Sequence, residues 1–261
     1  MSPLPSDRAI ANRPVALVTG AGRRVGNTIA RELAAHGYRL VLHANASQHE
    51  ATQTARELTA GGTDAIALAA DLRDEAATRR LVRSAHEHFG RLDALVNNAA
   101  LWKSQPLESV SADMLREHFE INTLATFICC QEAGLLMAAQ TDGGAIVNVG
   151  DWAIARPYQD YAAYFVAKGA IPTLTRAMAV ELAARNPRVR VNAVLPGPVL
   201  IPEESTREDR QAIVDATLVK REGTPVDLAR AVIFLLENPF ITGVCLPVDG
   251  GRSIFAPEAG D

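Results

Sequence analysis

The passage from Val15 to Gly37 limits the fold more than any other stretch. Val15-Ala16-Leu17-Val18 is a short apolar run of the kind a buried parallel strand needs. It leads into Thr19-Gly20-Ala21-Gly22-Arg23-Arg24-Val25-Gly26. Ile29, Ala30, Leu33 and Ala34 then recur at helical spacing until Gly37 stops the helix. Strand, glycine-rich turn and helix in succession form the context that a dinucleotide's phosphates require. Glycines let the backbone approach the pyrophosphate, and the helix N-terminus offers free N–H groups and a positive dipole end. Glycines in a βα turn also serve backbone geometry alone, so the remainder of the chain has to decide.

The alternation continues. Further strands are expected at Arg39–His43, 65–70 ending at Asp71-Leu72, and 92–96 ending at Asn97-Asn98-Ala99-Ala100. Others follow at 145–149, 189–195 and 244–248, the last with Asp249-Gly250-Gly251 as its turn. Helical patterns separate them: one opening at Ser47 and running through Leu58, then 74–89, about 113–140, the stretch around Tyr164 and Lys168, and 227–237. Strands alternating with helices predict an α/β fold, a single-domain Rossmann arrangement with a seven-stranded parallel sheet covered on both faces. Residues 1–13 read as a flexible leader, 14–254 as the dinucleotide-binding domain, and 255–261 as a tail. Within the domain, Pro196-Gly197-Pro198 and the polar run from Val199 to Arg221 sit where a substrate loop or lid is expected. Glu203 and Glu204 in that loop either touch a substrate's polar side or solvate the loop, and the second reading is the simpler one.

With 261 residues and 48% hydrophobic side chains, the chain can bury a large core. A net charge of -4 leaves no electrostatic footprint for nucleic acid. Residues 1–14 lack the apolar core of a signal peptide, and no apolar run approaches membrane-spanning length, so no membrane partner and a cytoplasmic location are expected. Cys129, Cys130 and Cys245 lie in apolar runs and read as small buried hydrophobes, with no metal site.

Tyr164 and Lys168 stand four apart, so both project from one helix face. A free tyrosine titrates near about 10; a neighbouring ammonium favours the phenolate and is expected to bring it toward the working range. Asp151 closes the strand 145–149 and delivers its carboxyl group to the same place. Asn122, alone among apolar neighbours within a helix, is either a structural polar contact or part of a proton relay. At the end of the second strand His43, Ala44, Asn45, Ala46 and Ser47 contain no carboxylate to take the ribose hydroxyls. That absence, with cationic Arg23 nearby, favours a 2′-phosphate and therefore NADPH. Ser47 can serve as helix cap, phosphate ligand or both.

Over residues 14–254 these motifs, in order and spacing, resemble the short-chain dehydrogenase/reductase family: Thr19-Gly20…Gly26, Asp71-Leu72, Asn97-Asn98-Ala99, Asn122, Tyr164 with Lys168, Pro196-Gly197 and Asp249-Gly250-Gly251. The resemblance implies a catalytic tetrad of Asn, Ser, Tyr and Lys, of which Asn122, Tyr164 and Lys168 fill three places. It also implies cofactor contacts from Gly20, Arg23, Arg24, Val25, Gly26, His43, Asn45, Ser47, Asp71, Leu72, Asn98, Ala99, Ala100, Tyr164, Lys168, Pro196, Gly197 and Val199. A homotetramer is implied by the same analogy.

The departures carry more information. Arg24 occupies the usual second glycine's place, Asp151 the serine's, and Ala100 the final glycine's of Asn-Asn-Ala-Gly, with Trp102 close behind. Together these resemble the pteridine reductases, a likeness that Tyr161 and the stretch Gly37-Tyr38…Leu42-His43 also fit. Ala46 departs from that subgroup, which often carries an arginine there. The implied activity is NADPH-dependent reduction of a dihydropterin- or dihydrofolate-like ring, with Arg24, Trp102, Asp151 and Tyr164 contacting substrate. Each departure has a plainer reading: Trp102 as a cover for the sheet edge, Arg24 as a phosphate ligand or surface ion pair, Asp151 as an N-cap or the mark of lost catalysis. The alternative functions are an ordinary NADPH-dependent carbonyl reductase and a non-catalytic NADP-sensing protein.

Overall fold

The computed structural model describes residues 13–201 and 205–255. Seven strands form one parallel sheet in the order β3-β2-β1-β4-β5-β6-β7. They are β1 Val15–Val18, β2 Arg39–Ala44, β3 Ala65–Ala69, β4 Ala94–Asn97, β5 Gly144–Val149, β6 Val189–Pro196 and β7 Cys245–Val248. The expected fold class and strand count hold. β1, β2 and β4 are buried along their whole length, as a central parallel strand covered on both faces must be.

Helices α1 Arg24–Ala35 and α9 Pro225–Glu237 cover one face, packing Ile29, Leu33, Leu228 and Val232 against the sheet. The other face is covered by α3 Glu75–Phe89 and α5 Ala125–Ala139, with Leu81, Val82, Cys129, Cys130 and Met137 in its core. α7 Ile171–Ala183 joins them on that side through Leu174, Met178 and Leu182. Burial pushes the Cys129 thiol up to about 12, in keeping with an inert core residue. α2 Gln48–Ala60 lies beside β3. Local sequence explains several boundaries. Asp74 accepts from the Ala77 amide at the start of α3, and Gly90 ends it at φ +73. Thr224 and Asp227 cap α9 reciprocally, with Pro225 in its first turn.

Two expectations need correction. The long helix predicted over 113–140 is α4 Ala112–Phe119 and α5, joined by a π-helical turn at Glu120–Leu124 that contains Asn122. A π turn marks inserted geometry in a helix, frequently at functional sites. The joined span Ala112–Ala139 is also long and apolar enough to cross a bilayer by length and composition, contrary to the reading that no run approaches that size. Half of its most apolar window is buried inside the fold, so packing against the sheet accounts for its apolarity. The leader residues 1–12, Glu203, Glu204 and the tail beyond Phe255 lie outside the described residues.

Candidate active site

The carboxyl ends of β1, β2, β4, β5 and β6 open on one cavity of about 970 Å³, where a doubly wound sheet reverses its strand order. That volume matches pockets that hold a cofactor with a small ligand. At one end sits the turn after β1. Gly20 has φ +65, and a Cβ on Gly26 would lie 2.2 Å from the Gly20 carbonyl oxygen, so both glycines are required by conformation or contact. Asn98 braces the turn: its Nδ2 donates to the Thr19 and Gly20 carbonyls at 3.0 and 3.2 Å. Thr19 Oγ1 accepts from the Asn98 and Ala99 amides, both at 3.0 Å.

This end fits a dinucleotide. The N-terminus of α1 has neither a side-chain cap nor an acidic residue in its first turn, which leaves its amides available to an anion. A Cβ on Gly22 would meet Ser47 Oγ at 2.2 Å, so the turn lies directly against Ser47. Ser47 occupies the N-cap position of α2 yet makes no side-chain cap bond. Of its two expected roles the structure leaves the phosphate one open. Arg23, Arg24, Asn45, Asp71, Leu72, Ala100, Pro196, Gly197 and Val199 all line the same cavity.

Two expected cofactor residues have additional duties. Arg23 pairs with Glu50 through both Nε and Nη2. Glu50 therefore competes with any 2′-phosphate for that guanidinium. Glu50→Gln is expected to tighten NADPH binding several-fold and leave NADH nearly unchanged, as measured by fluorescence titration; equal effects on both cofactors would contradict this. His43 also lines the cavity, but both its ring nitrogens serve the backbone. Nδ1 accepts from the Gly20 amide at 3.3 Å, and Nε2 lies 3.1 Å from the Ala70 carbonyl. Burial lowers its pKa, so the ring is a neutral brace between β2 and the glycine turn.

At the other end stands the predicted acid/base group. Tyr164 lies on the short helix α6 Ala162–Lys168, and its hydroxyl donates to Asp151 Oδ2 at 2.7 Å. Asp151 Oδ1 accepts from the Ala153 amide at 2.8 Å, so the carboxylate caps the turn Trp152–Ile154 and holds the phenol at once. Lys168, almost fully buried, donates from Nζ to the Val149 carbonyl at 2.7 Å.

The expected depression of the Tyr164 pKa is corrected. Burial raises the phenol's pKa, and the Asp151 charge raises it further. A carboxylate at hydrogen-bond distance and an apolar setting outweigh a lysine committed to a backbone carbonyl. Tyr164 is thus held as the protonated acid. Burial also lifts Asp151 above the usual carboxylate range, against the opposing pull of the Tyr164 and Ala153 bonds. Lys168 is lowered by burial to about 8, with Asp151 opposing.

Asn122 is fully buried, and its amide is spent on one residue. Nδ2 donates to the Leu101 carbonyl at 3.0 Å, and Oδ1 accepts from the Leu101 amide at 2.8 Å. Of its two sequence readings the structural contact is the one observed, and it fixes the loop that carries Trp102. The Trp102 ring is 46% exposed and stacks on Tyr161 at 5.0 Å and 16°, so it stands at the cavity mouth and does not seal a sheet edge. Arg24 has φ +53, a left-handed backbone that glycine adopts freely and arginine adopts at a cost of about 1–2 kcal/mol.

Several lining residues escaped sequence reasoning: Trp152, Tyr158, Leu200, Ile201, Ile213 and Arg252. Tyr158, Tyr161 and Tyr164 recur at intervals of three, and Arg252 follows the Asp249-Gly250-Gly251 turn; those were the available signals. Ile213 comes from α8 Arg207–Asp215, within the segment expected to form a lid.

A parallel sheet with a phosphate cradle at one end of the cavity and a Tyr-Lys-Asp group at the other defines a nicotinamide-dependent oxidoreductase. A family model described as enoyl-(acyl carrier protein) reductase matches residues 20–253, and the chain belongs to that family of short-chain dehydrogenases/reductases. It is 37% identical to a protein assigned as ketoacyl reductase 2 of the granaticin polyketide synthase of Streptomyces violaceoruber, over 92% of this chain and 96% of that one. Versicolorin reductase 1 of Aspergillus parasiticus is 34% identical over 94% and 98% of the two chains. Among solved structures, a mutant short-chain dehydrogenase/reductase from Serratia marcescens superposes with TM-score 0.84 at 33% identity, covering 92% of this chain and 98% of that one. A blue fluorescent protein from a metagenomic library, in complex with NADPH, gives TM-score 0.83 at 34% identity, covering 92% and 97%.

Proposed function

We propose that this oxidoreductase uses NADPH to reduce a ring C=N bond of a pterin, a dihydropterin or dihydrofolate-like compound. The observation that carries the reading is the 2.7 Å bond from the Tyr164 hydroxyl to Asp151. NADPH supplies the hydride when bound. Reduction of an imine then needs one proton at the ring nitrogen. Tyr164, kept protonated by burial and the Asp151 charge, is placed to give it, and the Asp151 carboxyl group, hydrogen-bonded to the phenol, to orient it and share in the transfer. Lys168 keeps a positive charge beside the pair and anchors α6 to β5 through Val149. Trp102 and Tyr161 offer flat apolar faces to a planar ring at the mouth. Arg24 is placed to hold ring acceptors or the phosphates of the cofactor.

A second reading is reduction of a ketone, and the names of the relatives, a ketoacyl reductase and a versicolorin reductase, favour it over the pterin reading. Against it stands the absence of a serine hydroxyl at position 151 to stabilise a developing alkoxide. NADPH oxidation with dihydrobiopterin, dihydrofolate and a simple ketone side by side separates the two. Turnover of the ketone alone ends the pterin reading.

The Lys168 value fixes the sign of a pH effect. Below about 8 the ammonium is present, and above it the charge is lost as pH rises. The rate of reduction is therefore expected to hold level toward neutrality and to fall through pH 8 and above. Lys168→Arg, whose charge persists, should move that limb to higher pH. A wild-type profile flat to pH 9.5 would contradict the assignment.

A further inference from the structure

Arg252 stands on the substrate side of the cavity, on the wall shared with Trp152 and Tyr158. Its guanidinium carbon lies 4.9 Å over the Trp152 ring, and Trp152 adjoins Asp151 in the chain. The backbone that delivers it is tightly fixed. Asp249 Oδ1 accepts from the Gly251 amide at 2.9 Å, and Oδ2 from the Ser253 amide at 2.7 Å. The Arg252 amide bonds the Asp249 carbonyl at 3.2 Å, and Arg156 Nη1 donates to the Arg252 carbonyl at 3.0 Å. Arg156 Nη1 also donates to the Phe255 carbonyl, tying the segment after Arg252 to the loop that carries Trp152.

Preorganised in this way, the side chain has little to hold. A guanidinium has five N–H donors, and among the described residues the one hydrogen bond this one makes is Nη1 to the Ile213 carbonyl at 3.2 Å. No ion pair to Arg252 or Arg156 occurs among the described residues, whereas Arg23, Arg73, Arg79, Arg91 and Arg221 all have carboxylate partners. Asp249, the acidic group that acts on it, is occupied by the two backbone amides. Burial and the Arg156 charge both disfavour this cation. Trp152 and Tyr158 lie beside it, and Leu200, Ile201 and Ile213 line the same cavity. A half-buried, stacked arginine with no ion-pair partner among the described residues is set up for a bidentate acceptor.

We propose that Arg252 is a specificity-determining residue that selects substrates whose substituent, extending from the reacting group, ends in a carboxylate. The inference rests on the reductase reading of the Tyr164 site and does not depend on which ring is reduced. The cofactor's own phosphates belong to the opposite end, at Arg23 and Ser47, so they leave this guanidinium unclaimed.

The test compares matched pairs that differ in the carboxylate: dihydrofolate against its glutamate dimethyl ester, and a β-keto acid against its methyl ester. Each pair is run with wild type, Arg252→Gln and Arg252→Lys. A charge-assisted pair predicts that wild type favours the carboxylated member by about tenfold to a hundredfold in kcat/KM. Arg252→Gln should bring that ratio close to unity through a rise in KM for the carboxylated member, and Arg252→Lys should restore part of it. An unchanged ratio in Arg252→Gln, or an equal loss on both members, overturns the proposal. Keto acids reduced with an Arg252-dependent ratio, and pterins untouched, would uphold Arg252 and end the pterin reading. If neither class turns over, binding of folate against its dimethyl ester to the NADP⁺-loaded protein, which has no hydride to give, decides. Folate binding that weakens in Arg252→Gln supports the proposal, and equal binding in both proteins overturns it.

Discussion

Tyr164→Phe is expected to lower kcat for reduction about a thousandfold, within the range of a lost general acid, while NADPH binding is retained. The substitution removes one oxygen and leaves the ring packed among Tyr161, Phe165 and His118. What disappears is the donor whose bond to Asp151 holds both groups in line. Among the described residues Asp151 then keeps the Ala153 amide as its hydrogen-bond partner. The measurement is steady-state turnover together with a cofactor titration. Loss of turnover with cofactor binding intact assigns the effect to proton delivery. Full activity in Tyr164→Phe would remove the acid/base assignment altogether.

The second large effect is expected at the opposite end of the cavity. In Gly26→Ala the new methyl would sit 2.2 Å from the Gly20 carbonyl oxygen and 2.5 Å from Asn98 Nδ2. Neither neighbour can yield cheaply, because one is backbone and the other is bonded to Thr19 and Gly20. Overpacking of this kind costs about 3 kcal/mol, which for a domain of this size lowers Tm by about 6–12 °C. The same displacement deforms the turn that cradles the phosphates, so the rise in Tm that NADPH confers on wild type should vanish. A variant with wild-type Tm and undiminished cofactor stabilisation would show that the turn does not depend on that contact.

The fold was largely legible because its signals are local. β1 is four consecutive apolar residues and β5 an apolar run broken only by Asn148, and the turns after them carry Gly20 and Asp151 at fixed offsets. The break in the long helix was not legible. Glu120–Leu124 carries no breaker residue, and the bonds that its Asn122 makes to Leu101 are tertiary and invisible to local pattern.

The site residues were legible as a set of types, whereas their partners were not. Arg23 was read as free for a phosphate, but Glu50 on the next helix claims it. His43 was read as a cofactor contact; it lines the cavity, and its nitrogens have the further task of bracing Gly20 and Ala70. The direction of the Tyr164 shift was misread because sequence spacing shows that Lys168 is near and cannot show that its ammonium is turned to Val149. Arg252 went unnoticed for a related reason. A single cation after a turn means little until the cavity around it, and its lack of an ion-pair partner among the described residues, are seen.

The most direct test of the central claim is the Asp151→Ser substitution, assayed by NADPH oxidation with a dihydropterin and with a ketone. If the Asp151–Tyr164 pair delivers the proton to a ring nitrogen, pterin-dependent oxidation should collapse in the variant, and any ketone turnover should persist or rise. Pterin turnover undiminished by the serine, or ketone turnover as the sole activity of the wild-type protein, would contradict the account.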